Sequence, residues 1–295
     1  MATPPVAAPD WALINADPNV QQLLELALRE DLGEAGDITT AAIFTARQAV
    51  AARVVARAPT VVCGVALARE LFSRIDPDLR VSSAAGAREG AWVEAGATLC
   101  TLRGDVRSIL SGERCVLNFL MRLCGIATAT RRAVERVPAT AAARIFDTRK
   151  TAPGWRRLDK AAVATGGGAN HRFGLHDGVL IKDNHVAAAG GVAEAVRRAR
   201  GHHGDELPIE VEIDSLAQLE EALGAEPEVI LLDNFSTAEL AEAVRRTGGR
   251  AILEASGGLR LEDVATVAQT GVDRISMGWL THTVSPADLS LEVAS

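Results

Sequence analysis

Apolar residues recur along this 295-residue chain in two rhythms, and the rhythm changes near Arg144. Early on, Val20, Leu23, Leu24 and Ala27 fall on one face at helical spacing. Asp17 can cap this helix, Pro18 suits its first turn and Gly33 stands just past its end. Residues 48–58 then alternate, with Val50, Ala52, Val54 and Ala56 on one side and Arg53 and Arg57 on the other. That is a strand with one wet face, expected of an antiparallel sheet. Residues 66–74 predict a short helix, and residues 80–102, broken by Gly86, Gly90 and Gly96, predict short strands and turns. A long apolar helix follows from Ser108 into the 130s, with Leu110, Leu117, Leu120 and Cys124 in its stripe and Gly125 expected to break it. The first hundred residues therefore read as an α+β layer domain.

From Arg144 onward, short apolar strands alternate with amphipathic helices. The predicted strands are 144–147, 179–182, 209–213, 229–233, 251–254 and 274–276. Helices are predicted over 191–200, 216–223, 237–246 and 261–269. This order implies a parallel sheet covered on its faces. Six or so units are fewer than the eight of a full barrel of about 250 residues, so the expectation is a shortened α/β barrel. No Gly-x-Gly-x-x-Gly follows a strand, which weakens a dinucleotide-binding reading.

Composition is ordinary for a globular protein, at 48% apolar and 23% charged residues. No uncharged apolar run nears the roughly 20 residues of a membrane span. The opening MATPPVAAPD has neither a basic n-region nor an apolar h-region, so it reads as a loose Pro/Ala tail and the expected location is cytoplasmic. Cys63, Cys100, Cys115 and Cys124 lie in apolar surroundings without metal-ligand spacing, and are expected as buried, reduced thiols.

Charge changes the picture. The chain carries a formal net charge of -7, yet the stretch from Phe146 to His185 holds seven Lys/Arg against four acids. A basic island in an acidic protein suggests a small anionic ligand; nucleic acid would favour a broad basic face. Gly166, Gly167, Gly168, Gly174 and Gly178 are interleaved with these charges and allow backbone to approach a ligand closely.

Nearly every predicted strand after residue 144 ends in polar residues. These are Asp147-Thr148-Arg149-Lys150, Lys182-Asp183-Asn184-His185, Glu212, Asp233-Asn234, Glu254-Ala255-Ser256 and Ser276-Met277-Gly278. Parallel α/β folds bind ligands at the carboxyl ends of their strands. Arg149, His171, Arg172 and Lys182, with Arg114 as a further candidate, make a cationic set. Glu212 and Asp233 make an acidic pair suited to hydroxyls or Mg²⁺ beside a phosphate. Ser256-Gly257-Gly258 and Ser276-Met277-Gly278 are late loops of the kind that hold phosphate, the first expected to open a helix near Leu261. The residues alone imply an enzyme joining a small polyanion to a phosphorylated, hydroxyl-bearing partner. A Schiff-base role for Lys182 stays open on spacing alone, and so does a non-catalytic binding module.

The ordered segments TRKTAPGWRRLDKAAVATGGGANHR, VLIKDNH, EVEID, ILLDNF, EASGG and GVDRISMGWLTH closely resemble the quinolinate phosphoribosyltransferase family. The resemblance extends upstream through REDLGEAGDITT and SGERCVLNFLMRLCGIAT, and so covers about residues 20 to 283. It implies an α/β fold: a tail (1–10), an N-terminal α/β sandwich domain (11–124), an incomplete α/β barrel (125–283) and a C-terminal segment (284–295) returning to the N-terminal domain. It implies quinolinate and phosphoribosyl pyrophosphate as substrates, Mg²⁺, no nucleic acid or membrane partner, and a homodimer or larger assembly. By motif position, Thr148, Arg149, His171, Arg172 and Lys182 would bind quinolinate, with Arg114 reaching it from a partner chain. Lys150, Glu212 and Asp233 would be catalytic, the two acids meeting the metal through substrate or water. Ser256, Gly257, Gly258, Ser276, Met277 and Gly278 would line the 5′-phosphate. A related family member acting in metal transport would share this fold without sharing the substrate.

Overall fold

A computed structural model describes residues 8–294. They form two compact units, one from residues 8–131, 151–167 and 280–294, the other from 132–150 and 168–279. The tail expected over 1–10 lies outside the described residues as far as residue 7, and Asp10 caps the first helix.

The first unit begins with helices α1 (Trp11–Asn15), α2 (Pro18–Leu32) and α3 (Ile38–Ile43). The Asp17 carboxylate caps α2 by accepting from the Asn19 N–H, Pro18 opens it, and Gly33 ends it at φ 51°. Strands β1 (Ala49–Ala56) and β2 (Thr60–Val61), helix α4 (Val65–Ile75), strands β3 (Arg80–Ser83), β4 (Trp92–Val93) and β5 (Thr98–Asp105), and helix α5 (Val106–Arg136) follow. On β1, Ala52, Val54 and Ala56 are buried while Arg53 is exposed, as the alternation predicts, but Val55 is buried as well, where the register shifts between Val54 and Val55.

Helix α5 runs unbroken through Gly125, against the expected break. The reason is packing: a Cβ on Gly125 would lie 2.3 Å from the Ser285 carbonyl oxygen. The segment after Thr283 lies against this point, where the Ala287 N–H donates to the Met121 carbonyl. Glycine here allows close approach of two backbones and does not end a helix.

The second unit contains β6 (Arg144–Phe146). Helix α6 (Arg156–Gly166) comes next in the chain and belongs to the first unit. Then follow β7 (Val179–Ile181), α7 (Asp183–Ala189), α8 (Val192–His203), β8 (Ile209–Ile213), α9 (Leu216–Gly224), β9 (Val229–Asp233), α10 (Thr237–Thr247), β10 (Ile252–Ser256), a 3-10 turn (Leu261–Asp263), α11 (Val264–Gln269), β11 (Arg274–Ser276) and α12 (Trp279–His282). Strand β12 (Leu289–Val293) returns to the first unit and pairs antiparallel with β1, giving a four-stranded sheet of order β12-β1-β5-β3.

The second unit's sheet is six-stranded and parallel, of order β6-β11-β10-β9-β8-β7. The order is cyclic in sequence, with only a β6–β7 pairing missing. One side chain shows that the sheet curls. His171 is anchored beside β6, where its N–H donates to Asp147 Oδ1 at 2.8 Å, yet its ring reaches Glu210 on β8 at 3.0 Å. Those strands are four places apart, roughly 19 Å on a flat sheet. The sheet is therefore a barrel left open at one seam.

Helix α6 alters the reading of the basic stretch. Its Asp159 is fully buried and takes two hydrogen bonds from Arg122, at 2.9 and 2.8 Å. Lys160 is buried as well, and Arg157 faces Asp17 at 3.7 Å. Three of the charges counted as one island thus serve the packing of the first unit.

Candidate active site

The carboxyl ends of the parallel strands surround a cavity of about 240 Å³. It is lined by Thr148, Arg149, Lys150, His171, Arg172, Leu180, Lys182, Glu212, Leu231, Asp233, Glu254, Ser256 and Ser276. Residues from all six strands or the turns just beyond them contribute, as the polar strand ends predict. Pairing sets their height in the barrel: Leu231 lies beside both Glu212 and Glu254, and Asp233 beside Ser256 one step nearer the mouth.

The cationic side is held by local structure. Asp147 is fully buried at the end of β6, accepting from the His171 N–H and, at 2.7 Å, from Asn170 Nδ2. These two bonds bring the Asn170-His171-Arg172 segment back over the barrel. Arg172 Nη1 donates to the Gly178 carbonyl at 2.9 Å, while its buried Nε has no hydrogen-bond partner among the described residues. Burial, and then the nearby Arg149 charge, pull Arg172 below the ordinary arginine value. Two guanidinium groups crowded this way favour an anion between them. Lys182 Nζ donates to Glu212 Oε2 at 2.7 Å and is 46% exposed. That open, ion-paired setting is not the desolvated pocket that activates a Schiff-base lysine.

His171 is turned inward. Its Nδ1 accepts the Arg172 N–H at 2.9 Å, so the ring proton sits on Nε2. Nε2 faces Glu210 at 3.0 Å and Glu254 at 3.6 Å. His171 still lines the cavity, with both ring nitrogens facing protein groups.

On the phosphate side, Ser256 and Ser276 line the cavity, whereas Gly257, Gly258, Met277 and Gly278 stand outside its lining. Gly257 (φ 98°) and Gly258 (φ 59°) follow β10 as a loop, and helix α11 starts only at Val264, after the 3-10 turn. The expected helix start at Ser256–Gly258 is therefore an open glycine turn. A Cβ on Gly257 would lie 2.3 Å from Asn234 Oδ1, so only glycine fits against the end of β9. Asn234 is itself held in the left-handed region at φ 58°. Arg114 is exposed on α5 and is not among the lining residues.

Asn170 and Glu210 shape this cavity without having been singled out in the sequence, and Asp147 had been noted only as part of a polar strand end. Glu210 had a signal: in Ile209–Ile213, Glu210 and Glu212 share one face of a strand whose other residues are apolar.

A cationic cavity at the carboxyl rim of a singly wound parallel sheet defines an α/β-barrel enzyme for an acidic substrate. Family models for the quinolinate phosphoribosyl transferase N-terminal and C-terminal domains match residues 37–124 and 126–292. The nicotinate-nucleotide pyrophosphorylase (carboxylating) of Mycobacterium leprae is 45% identical over 270 residues, covering 90% of this chain and 94% of that protein. The chloroplastic enzyme of the same name from Arabidopsis thaliana is 39% identical over 293 residues, covering 93% of this chain and 83% of its own. The solved nicotinate-nucleotide pyrophosphorylase of Francisella tularensis superposes with a TM-score of 0.89 at 37% identity, covering 95% of this chain and 99% of its own. The chain belongs to the quinolinate phosphoribosyltransferase family.

Proposed function

We propose that this protein transfers the phosphoribosyl group of phosphoribosyl pyrophosphate to quinolinate. Decarboxylation follows, and the products are nicotinate mononucleotide, pyrophosphate and CO₂, a step of de novo NAD biosynthesis in the cytoplasm. The observation that carries this reading is the convergence of Arg149, Arg172 and Lys182 on one cavity at the carboxyl ends of the strands. A planar dicarboxylate matches two guanidinium forks, and nicotinate, with one carboxylate, would leave part of the set unmatched. Arg149, Arg172 and Lys182 hold the carboxylates, and Thr148 borders them. His171 places Arg172 through its Nδ1 contact.

Loss of pyrophosphate leaves positive charge on the ribosyl carbon. Glu212 and Asp233, on neighbouring strands at the mouth, stabilise that charge, and Lys150 faces the departing pyrophosphate. The quinolinate nitrogen attacks, and the pyridinium so formed withdraws electrons from the adjacent carbon as its carboxylate leaves. The 5′-phosphate rests on Ser256, Gly257 and Gly258 and on the Ser276-Met277-Gly278 turn. Positioning and electrostatics supply the catalysis, without a covalent enzyme intermediate.

Mg²⁺ fits this rim. Glu212 and Asp233 offer hard oxygen donors, but each already accepts a hydrogen bond, from Lys182 and from Asn234 Nδ2 at 2.7 Å. They suit an ion held through substrate or water. When bound, the ion supplies charge neutralisation on the leaving pyrophosphate.

The enzyme acts as a homo-oligomer, at least a dimer, with Arg114 completing the site of a partner copy. Ile38 and Ile43 on α3 are 71% and 66% exposed, and Ser111, one turn from Arg114, donates to Asp37 at the start of α3. An apolar patch beside an exposed arginine suits contact with a second copy. The test of the reaction is incubation with quinolinate, phosphoribosyl pyrophosphate and Mg²⁺. CO₂ release that stops when any one is omitted supports the reading; no release from the complete mixture, or release without phosphoribosyl pyrophosphate, overturns it.

A further inference from the structure

The floor of the cavity holds a group that the transfer step does not use. Glu254, on β10, lines the cavity and is wholly buried, and among the described residues no donor makes a well-formed hydrogen bond to either carboxylate oxygen. Its charged neighbours are His171 Nε2 at 3.6 Å, Arg274 at 3.7 Å and Glu210, with Ser276 beside it. Ligand atoms of His171, Glu210 and Glu254 lie within 4.8 Å of one another, the spacing of a metal site. The tautomer argues against a metal: Nδ1 accepts from Arg172, so Nε2, the atom a metal needs, carries the proton. That proton goes to Glu210, the nearer acid. Two carboxylates around one N–H cannot both be charged at low cost in a buried place, and Glu254, more deeply buried than Glu210 and farther from the His171 ring, is the one that holds a proton. Burial, and then the Glu210 charge, push its carboxyl up to about 7, with His171, the Ser276 hydroxyl and Arg274 opposing in that order.

Decarboxylation needs such a proton. When the carbon–carbon bond to the leaving carboxylate breaks, the electron pair stays on the ring carbon and CO₂ departs. The carbon must then gain a proton to give the pyridinium ring of the product. We propose that Glu254 is the catalytic acid of the decarboxylation half-reaction, its carboxyl proton passing to the vacated ring carbon and leaving a carboxylate that water reprotonates before the next turnover. This rests on the quinolinate reading above.

The experiment measures pyrophosphate, CO₂ and the N-phosphoribosyl dicarboxylate separately in wild type, Glu254→Gln and Glu254→Asp. Expected for Glu254→Gln is continued pyrophosphate release, CO₂ release slowed at least tenfold, and accumulation of the dicarboxylate nucleotide. Glu254→Asp, which keeps an acid, restores part of the CO₂ release. In wild type, single-turnover decarboxylation of the dicarboxylate nucleotide slows as pH rises through about 7. One CO₂ per pyrophosphate at the wild-type rate in Glu254→Gln, or a flat wild-type profile across that range, overturns the role of Glu254 and leaves the transfer reaction standing. Wild type releasing neither product overturns the quinolinate reading itself. The wild-type profile decides the matter even where the Gln variant does not fold.

Discussion

Glu254 carries a cost as well as a chemistry. Its carboxyl is raised in the folded chain from an ordinary 4.5 to about 7. A raised acid contributes stability that is full below its unfolded value and is lost as pH rises through its folded value. Going from pH 5 to pH 8, the buried cluster of Glu254, Glu210 and His171 therefore loses stability. Glu254→Gln removes that dependence, so its melting temperature relative to wild type should be higher at pH 8 than at pH 5. Thermal unfolding at both values checks this, and an equal offset at the two would contradict it. Much of the site was legible residue by residue, because strand-end chemistry is local: Arg149, Lys182, Glu212 and Asp233 follow apolar runs too short to be anything but strands. The partners of His171 were not legible. Glu210 and Glu254 lie on strands separated by β9 in the sheet order, and only the curl of the sheet brings both to one imidazole.

Among the elements, the periodic ones matched the sequence and the irregular ones did not. Helix α10 shows why the first kind is readable. Ser236 and Glu239 form a capping box at its start, and Gly248 closes it at φ 55°. Helix α6 was missed because its charges resembled ligand contacts, while their true role, such as the Arg122–Asp159 pair, spans 37 positions of sequence. Gly125 departs from its expected role for the same reason, since the backbone it admits comes from residues 285–287. Gly125→Ala should therefore destabilise by about 1–3 kcal/mol, the usual cost of overpacking. Gly201, inside α8 with nothing within 4 Å of its added Cβ, should behave oppositely. Gly201→Ala should stabilise by about 0.5–1 kcal/mol through helix propensity. Denaturant midpoints of the two variants would show opposite signs; the same sign in both would refute the packing explanation.

For the whole molecule, the proposed assembly makes a separate demand. If Arg114 completes a partner's site, Arg114→Ala and Lys150→Ala are each inactive alone, and mixing them creates hybrid dimers with one intact site. Activity should recover toward a quarter of wild type after verified subunit exchange, about half the dimers being hybrids with half their sites whole. Absence of recovery would remove the shared site while leaving the barrel chemistry intact. The proposed chemistry has Arg149 and Arg172 hold the dicarboxylate. Titration calorimetry of quinolinate against wild type, Arg149→Ala and Arg172→Ala tests this. Each substitution should weaken binding roughly ten- to hundredfold, as expected for a lost charge-assisted bond of about 1.5–3 kcal/mol. Quinolinate affinity unchanged in both variants would mean that the cavity is not where the dicarboxylate is held.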